Sequence, residues 1–389
     1  MSLSPAIFAT DDDAARRAAA EAVARGPFMM PQFIRTRRLT LTLFARHHLE
    51  PFSRLVSDPE TGRFLGGQTD RAGVFDRMAR MSGAWRIYGF GIYALTDAEG
   101  VFVGYAGLWF PHDRPEIEIA YGLMPEARGM GLAIEAVSAI CATAEACGVN
   151  ALVSYVAPDN EASRRVAEAA GATRDGTLPH VNGLAEVWRY PVAARPAPAN
   201  DDGVFVDASV MPLRIRTRRL MLCPWQPDHF DRFAAHLADE RTTRFLAGPQ
   251  SYGDATRAFF ALAGQWLLRG YGMYAVEADG RFVGTVGLYH PQNSRERELV
   301  YSITADARRL GYAAEAAKAV RDVAAAQGLD RLVSYIDPAN AGSIAIAEKL
   351  GAVHEGDVNF TGLTDMVWAY PVPGAGSELP AAIKEIEPA

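Results

Sequence analysis

Ile34-Arg-Thr-Arg-Arg-Leu39 recurs residue for residue as Ile215-Arg-Thr-Arg-Arg-Leu220, 181 residues further on. The same spacing relates Gly89-Phe-Gly-Ile-Tyr-Ala94 to Gly270-Tyr-Gly-Met-Tyr-Ala275, and a spacing of 180 relates Phe102-Val-Gly104 to Phe282-Val-Gly284. Ser154-Tyr155, Trp188 and Tyr190-Pro191 return as Ser334-Tyr335, Trp368 and Tyr370-Pro371. Solenoid repeats run about 20–50 residues, so a period this long is a duplicated domain. A chain of 389 residues has room for two domains of ordinary size. The expected division is an N-terminal helical extension at 1–26, a first domain at 27–193, a linker at 194–211, a second domain at 212–373 and a tail at 374–389. The linker is marked by Pro196, Pro198, Asn200, Asp201 and Gly203, and the Gly-, Pro- and Ala-rich tail is expected to be poorly ordered.

Each copy repeats one order of elements. Leu39, Leu41 and Leu43 alternate with Thr40 and Thr42 as in a strand. A helical stretch follows. Phe90–Ala94 and Val101–Leu108 read as a hairpin around Asp97–Gly100, and Glu116–Leu123 is another alternating strand. A turn at Pro125–Gly131 leads to a helix ending near Cys147–Gly148, with Ile134, Val137, Cys141 and Ala144 as its apolar stripe. Strand 152–156, a helix capped by Asn160 and ended at Gly171, and a last strand at 187–192 complete the copy. Strands before, between and after helices predict an α/β (mixed α+β) fold with helices on both faces of a mixed sheet.

Composition removes several classes of function. A net charge of −7 disfavours nucleic acid as a partner, and no apolar run is long enough to span a membrane. The acidic Asp11–Asp13 stands where a signal peptide needs basic residues, so a cytoplasmic location is expected. Cys141, Cys147 and Cys223 form no disulfide framework, and the first two are expected to be buried in their helix. The eight histidines show no metal-ligand spacing; His47-His48 reads as a solvated or capping pair.

The segment that carries chemistry is Arg128-Gly-Met-Gly131-Leu-Ala133, repeated as Arg308-Arg-Leu-Gly311-Tyr-Ala313. Both lie between a strand and a helix. The unpaired N–H groups of a helix start, with the helix dipole, make an anion site, and small residues let phosphate oxygens approach. Arg128 and Arg308 add charge-assisted donors. The loop lacks the Lys-Ser/Thr of a P-loop and the spacing of a dinucleotide fingerprint.

With these motifs the sequence resembles the GNAT acetyltransferase superfamily, whose coenzyme loop is Gln/Arg-x-x-Gly-x-Gly/Ala. Thr-Arg-Arg-Leu, Gly-x-Gly-x-Tyr-Ala, Glu-Ile-Ala-Tyr, Asn-x-x-Ser and Glu348-Lys-Leu-Gly351 are most similar to its ribosomal-protein N-terminal (RimJ/RimL-like) branch. The resemblance implies tandem acetyltransferase domains, each with two strands splayed around acetyl-CoA as co-substrate, and no metal. Backbone near Leu123 and Ile303 is then expected to pair with the pantetheine arm. The amides of Gly129, Met130, Gly131, Leu132 and Ala133, and of Arg309, Leu310, Gly311, Tyr312 and Ala313, are expected to hold the pyrophosphate. Asn160 and Asn340 are either coenzyme-facing or plain helix caps, or both. Glu118 and Glu298 are candidate general bases, against a reading as surface carboxylates. Ser163 and Ser343 are candidate acids for the thiolate, with Tyr155 and Tyr335 as rivals. The implied reaction acetylates a primary amine, on a protein N-terminus or a small molecule. A non-catalytic acyl-CoA-binding module, or one catalytic domain beside one structural domain, are the alternatives. Phe110 and His290, and Ala157 and Asp337, differ between copies and are expected at the acceptor pockets. Either a monomer, as an internal pseudo-dimer, or a dimer fits.

Overall fold

The computed structural model describes residues 11–24, 30–64, 70–149, 151–180, 183–191, 210–246, 248–290, 296–329, 331–360, 363–371 and 385–387. The chain divides into two compact units, Met1–Val206 and Asp207–Ala389.

Unit 1 runs α1 (Asp11–Ala24), β1 (Phe33–Arg35), β2 (Thr40–Leu43), α2 (Leu49–Ser57), α3 (Pro59–Phe64), α4 (Arg71–Tyr88), β3 (Ile92–Thr96), β4 (Phe102–Trp109), β5 (Glu118–Leu123), α5 (Leu132–Ala146), β6 (Val153–Val156), α6 (Glu161–Ala169), β7 (Thr173–His180) and β8 (Gly183–Arg189). Its sheet order is β1-β2-β3-β4-β5-β6-β8-β7. Neighbours are antiparallel except β5 and β6, which are parallel. The alternation of Leu39, Leu41 and Leu43 is realised: all three are buried while Thr40 and Thr42 are half-exposed.

Unit 2 repeats this with β9 (Arg214–Arg216), β10 (Met221–Cys223), α7 (Phe230–Ala238), α8 (Glu240–Thr243), α9 (Tyr252–Arg269), β11 (Met273–Ala278), β12 (Arg281–Tyr289), β13 (Arg297–Ile303), α10 (Tyr312–Ala326), β14 (Leu332–Ile336), α11 (Ala341–Lys349), β15 (Val353–Phe360), β16 (Leu363–Tyr370) and β17 (Glu385–Glu387). Helices cover both sheet faces. On one, Val276, Val286, Leu288 and Leu299 share a core with Ala316, Val320 and Val323 of α10. On the other, Phe282 meets Trp225 and Phe233, which pack on Phe259 of α9. In unit 1, α5 packs on β4 and β5, and Phe52 of α2 packs edge-on against Tyr105 of β4.

Local chemistry explains the long helices. Asp70 and Ser251 cap α4 and α9 by accepting from the backbone N–H of Gly73 and Asp254, and Gly89 and Gly270 end them in the left-handed conformation. These are the glycines of the repeated Gly-x-Gly-x-Tyr-Ala. A second glycine pair is fixed by close approach. A Cβ on Gly107 would stand 2.3 Å from the Gly91 carbonyl oxygen, and one on Gly287 2.3 Å from that of Gly272. Gly107→Ala must therefore force β3 and β4 apart, and is expected to destabilise unit 1 by about 2–3 kcal/mol. Thermal unfolding monitored by calorimetry measures it.

Four expectations are corrected. The strands β7 and β15 were not foreseen, because Thr-Arg-Asp-Gly-Thr-Leu-Pro-His has no alternation and carries Gly and Pro; these are sheet-edge strands, where such residues are tolerated. The stripe of α5 is Ala133, Ala136, Val137, Ile140 and Ala144, while Ile134, Cys141 and Cys147 are only half-buried. Met211 belongs to the unit 2 core, not to a linker; like Met30 in unit 1, its N–H bonds the carbonyl of the glycine ending the long helix. Residues 194–209 lie outside the described residues. In the tail, 385–387 pair with β9 as β17, and only those of 374–389 are described.

Candidate functional site

The site is built where β5 and β6 part. Glu118 is register-paired with Val153, and beyond it β5 continues to Leu123 paired only with β4. In unit 2, Arg297 and Glu298 pair with Leu332 and Val333, and β13 runs on to Ile303 without β14. At the first residue past the split the bridging bond comes from a side chain. The Ser154 hydroxyl donates to the Ile119 carbonyl at 2.8 Å and lies 3.0 Å from the Tyr190 hydroxyl. Ser334, Leu299 and Tyr370 repeat this at 2.5 and 2.9 Å. Both serines and both tyrosines were visible as repeated residues, but that role was not read from them. The Tyr121 hydroxyl reaches from β5 to the Ser163 carbonyl at 2.9 Å, as Tyr301 does to Ser343 at 3.1 Å, so a tyrosine spans the gap in each unit.

The loop after β5 is a short 3-10 turn, Pro125–Ala127, followed by Arg128–Gly131 and the start of α5. Gly129 and Gly131 both have φ of +74°, and Gly131 is the helix N-cap. In unit 2, Gly311 has φ of +80°, while Arg309 occupies the left-handed region at +63° without being glycine. Met130 and Leu310 are exposed at the loop tips.

The repeated Thr-Arg-Arg-Leu holds this loop in place. The Thr36 hydroxyl, the Arg38 backbone N–H and Arg38 Nε all donate to the Glu135 carboxylate of α5, at 2.6, 2.8 and 2.6 Å. Arg38 Nη1 donates to the Met130 carbonyl at 2.7 Å. Thr217, Arg219, Glu315 and Leu310 reproduce every contact. Burial alone would raise the carboxyl of Glu135, but its hydrogen bonds from Thr36 and Arg38 hold it below the usual value. Glu135 and Glu315 were missed from sequence; the signal was a glutamate repeated two residues after the loop alanine.

Arg128 requires a correction. Its guanidinium is turned inward: Nη1 to Glu60, Nη2 to Asp58 at 2.7 Å and to Thr61 at 2.5 Å, and Nε to the Leu123 carbonyl at 3.4 Å. Four of its five N–H groups are thus used within the protein. It clasps α3 to the end of β5 instead of arming the loop. Arg308 does likewise with the carbonyls of Ile303 and Arg241 and the Thr242 hydroxyl.

Asn160 and Asn340 are helix caps, each accepting from the backbone N–H of Ser163 or Ser343. Glu118 and Glu298 are half-buried at the split, and burial pushes both carboxyls up to about 7. Arg114 pulls Glu118 back and Asp113 adds to the rise; at Glu298 a backbone hydrogen bond from Tyr335 opposes it. Glu116, one pleat away, is instead locked in a two-pronged ion pair with Arg189, at 2.7 and 3.1 Å. Burial, then the neighbouring Glu118, raises the Tyr155 phenol; the Glu116 backbone is close by but outside hydrogen-bonding geometry. Phe110 is buried core against Tyr88, and the half-buried His290 is bound to the Tyr271 hydroxyl at 3.0 Å. Asp337 closes its own turn by accepting from the Ala339 N–H at 2.7 Å.

His48 reads as a cap: its Nδ1 accepts from the Ala45 N–H at 3.0 Å. His229 does the same for Gln226, which puts its proton on Nε2, 2.8 Å from Glu277. Cys223 stands within 4.8 Å of that pair. A ring so held has no lone pair left for a metal.

The acetyltransferase (GNAT) domain matches residues 38–173 and 219–353. The chain belongs to the GNAT acetyltransferase family, present in two tandem domains. Among solved structures, it is similar to an acetyltransferase of Agrobacterium tumefaciens, at 30 % identity over 40 % of this chain and 93 % of that one, with a TM-score of 0.38. A GNAT-family acetyltransferase of Bordetella pertussis shares 24 % over 41 % and 99 %, TM-score 0.37. RimL, a ribosomal L7/L12 α-N-protein acetyltransferase solved with coenzyme A, shares 17 % over 41 % and 98 %, TM-score 0.36. No curated protein matches the sequence.

Proposed function

We infer that each unit is an acetyl-CoA-dependent N-acetyltransferase acting on a primary amine. The observation that carries this is a pair of carboxyls, Glu118 and Glu298, each at the end of the paired stretch and each pushed to about 7. A base poised near neutrality suits removal of a proton from an attacking amine. The unpaired edge of β5 near Leu123, and of β13 near Ile303, then takes the pantetheine arm as a further strand. The amides of 129–133 and 309–313 take the pyrophosphate at a helix start. The amine nitrogen forms the new C–N bond, the C–S bond breaks, the amine proton passes to the glutamate, and the leaving thiolate gains a proton. Ser163 and Ser343 remain candidates for that last step. Tyr121 and Tyr301, which span the gap, join them ahead of Tyr155 and Tyr335. Acetyl-CoA is already activated, so positioning supplies much of the rate.

Calorimetric titration of the full chain with acetyl-CoA tests this. About two equivalents are expected. One equivalent makes one unit a scaffold, and none removes the reading. Thiol release with amine acceptors then separates turnover from binding alone.

A further inference from the structure

Two arginines of unit 1 carry buried N–H groups with no hydrogen-bond partner, and one of them, Arg114, acts directly on Glu118. Arg114 is 6 % exposed. Its Nη1 donates to the Asp113 carbonyl and carboxylate, each at 3.2 Å, and its guanidinium lies 5.5 Å from the centre of the Tyr155 ring. Its Nε is buried with no hydrogen-bond partner, and so is the Tyr155 hydroxyl. Arg77 of α4 has a buried Nη1 without a partner, and its charge acts on Tyr105, which in turn feels Glu118. A buried guanidinium with donors unmet costs free energy that a carboxylate ordinarily offsets. Asp113 supplies one carboxylate, but it is 39 % exposed and engages only Nη1, which leaves Nε for a further anionic partner.

The position of Arg114 says what is missing. The loop at Gly129–Gly131 follows the far end of β5, whose Leu123 is about 17 Å from Glu118 at about 3.3 Å per residue. Arg114 is therefore at the acceptor end, out of reach of a pyrophosphate held by that loop. Arg17 of α1 fixes it there: Nη1 donates to the carbonyls of Pro111 and Arg114 at 2.8 Å each, and the guanidinium covers Phe110 at 3.8 Å. In unit 2 the sequence has Ser294 and Ala258 at the two arginine positions, and Arg297, next to Glu298, alternates to the opposite sheet face.

We propose that the unit 1 acceptor is an amine that also carries an anionic group, whose oxygens pair with Arg114 beside Glu118. This rests on the acetyltransferase reading above, and Arg114 is a specificity residue, not a participant in the bond changes.

The test uses the full chain carrying Gly311→Glu to silence unit 2. β-Alanine is compared with β-alaninamide, and phosphoethanolamine with ethanolamine, by acetyl-CoA-dependent thiol release and by calorimetric binding in the presence of coenzyme A. The anionic member of at least one pair is expected to be favoured about thirtyfold or more in kcat/KM or affinity. The pair that responds tells carboxylate from phosphate. Arg114→Gln should abolish most of that preference through KM, with coenzyme affinity unchanged and kcat for the neutral amine unchanged when compared at a pH above the Glu118 titration of each enzyme. Parity between anionic and neutral members, or a preference that survives Arg114→Gln, overturns the proposal. Failure of acetyl-CoA to bind is a separate result and overturns the parent reading instead.

Discussion

Gly131→Glu is expected to reduce the coenzyme stoichiometry of the chain from about two equivalents to one. Gly131 is the N-cap of α5 at φ +74°, a conformation that costs a non-glycine residue about 1–2 kcal/mol. A Cβ there meets nothing nearer than Arg38 Nη2 at 3.6 Å, so the side chain has room. The new carboxylate then stands at the helix start where the pyrophosphate is proposed to sit. Like charges in that position should weaken binding by about 100-fold or more. Gly131→Ala carries the same backbone strain without the charge and should keep two equivalents. Gly311→Glu is the unit 2 counterpart, tighter because its Cβ would be 3.3 Å from Arg219 Nη2. Two equivalents bound by both glutamate variants would show that the anion is held elsewhere.

Glu118→Gln, read in a chain with unit 2 silenced, should lower kcat by about 10²–10⁴-fold. In the parent, kcat/KM should rise with pH with a break at about 7, since only the ionised carboxyl accepts a proton. Below that it should fall about tenfold per pH unit. The variant loses this limb but keeps any higher one belonging to the acceptor amine. The same group has a stability signature of definite sign. Burial raises its folded value above the usual carboxylate range, so its favourable contribution is complete below about 4.5 and is lost as pH rises through about 7. Glu118→Gln should therefore gain thermal stability relative to its parent at pH 8 compared with pH 5. A pH–rate profile of the variant that matches its parent would defeat the base role.

The sequence exposed whatever was local or repeated. The alternation of Leu39, Leu41 and Leu43, the caps at Asn160 and Asn340, and the helix-ending glycines depend on neighbours a few residues away, and they were readable. The loop at 128–133 was readable for the same reason. What failed was long-range. Arg128 looks like a phosphate ligand until Asp58 and Glu60, some seventy residues earlier, fold against it. Glu135 has no evident purpose until Thr36 and Arg38 reach it across the sheet edge. The edge strand β7 has no pattern of its own, because its ladder partner β8 determines it. The base candidates came from the family resemblance, since alternation alone puts Glu116 on the same face as Glu118, and the burial that raises their carboxyls is a tertiary property.

The parting of β5 from β6 also bears on how each unit comes undone. In unit 1 one register pair, the Ser154 and Tyr121 bridges and the Glu116–Arg189 ion pair tie the run β1–β5 to β6, β8 and β7. Sheets tear where rungs are fewest, so this seam should separate two foldons, and the C-terminal one should show faster amide exchange than β3–β5. A pantetheine arm lying along the seam, as proposed above, would supply rungs the polypeptide omits. Coenzyme binding should then narrow the difference in amide exchange between the two sides of the seam.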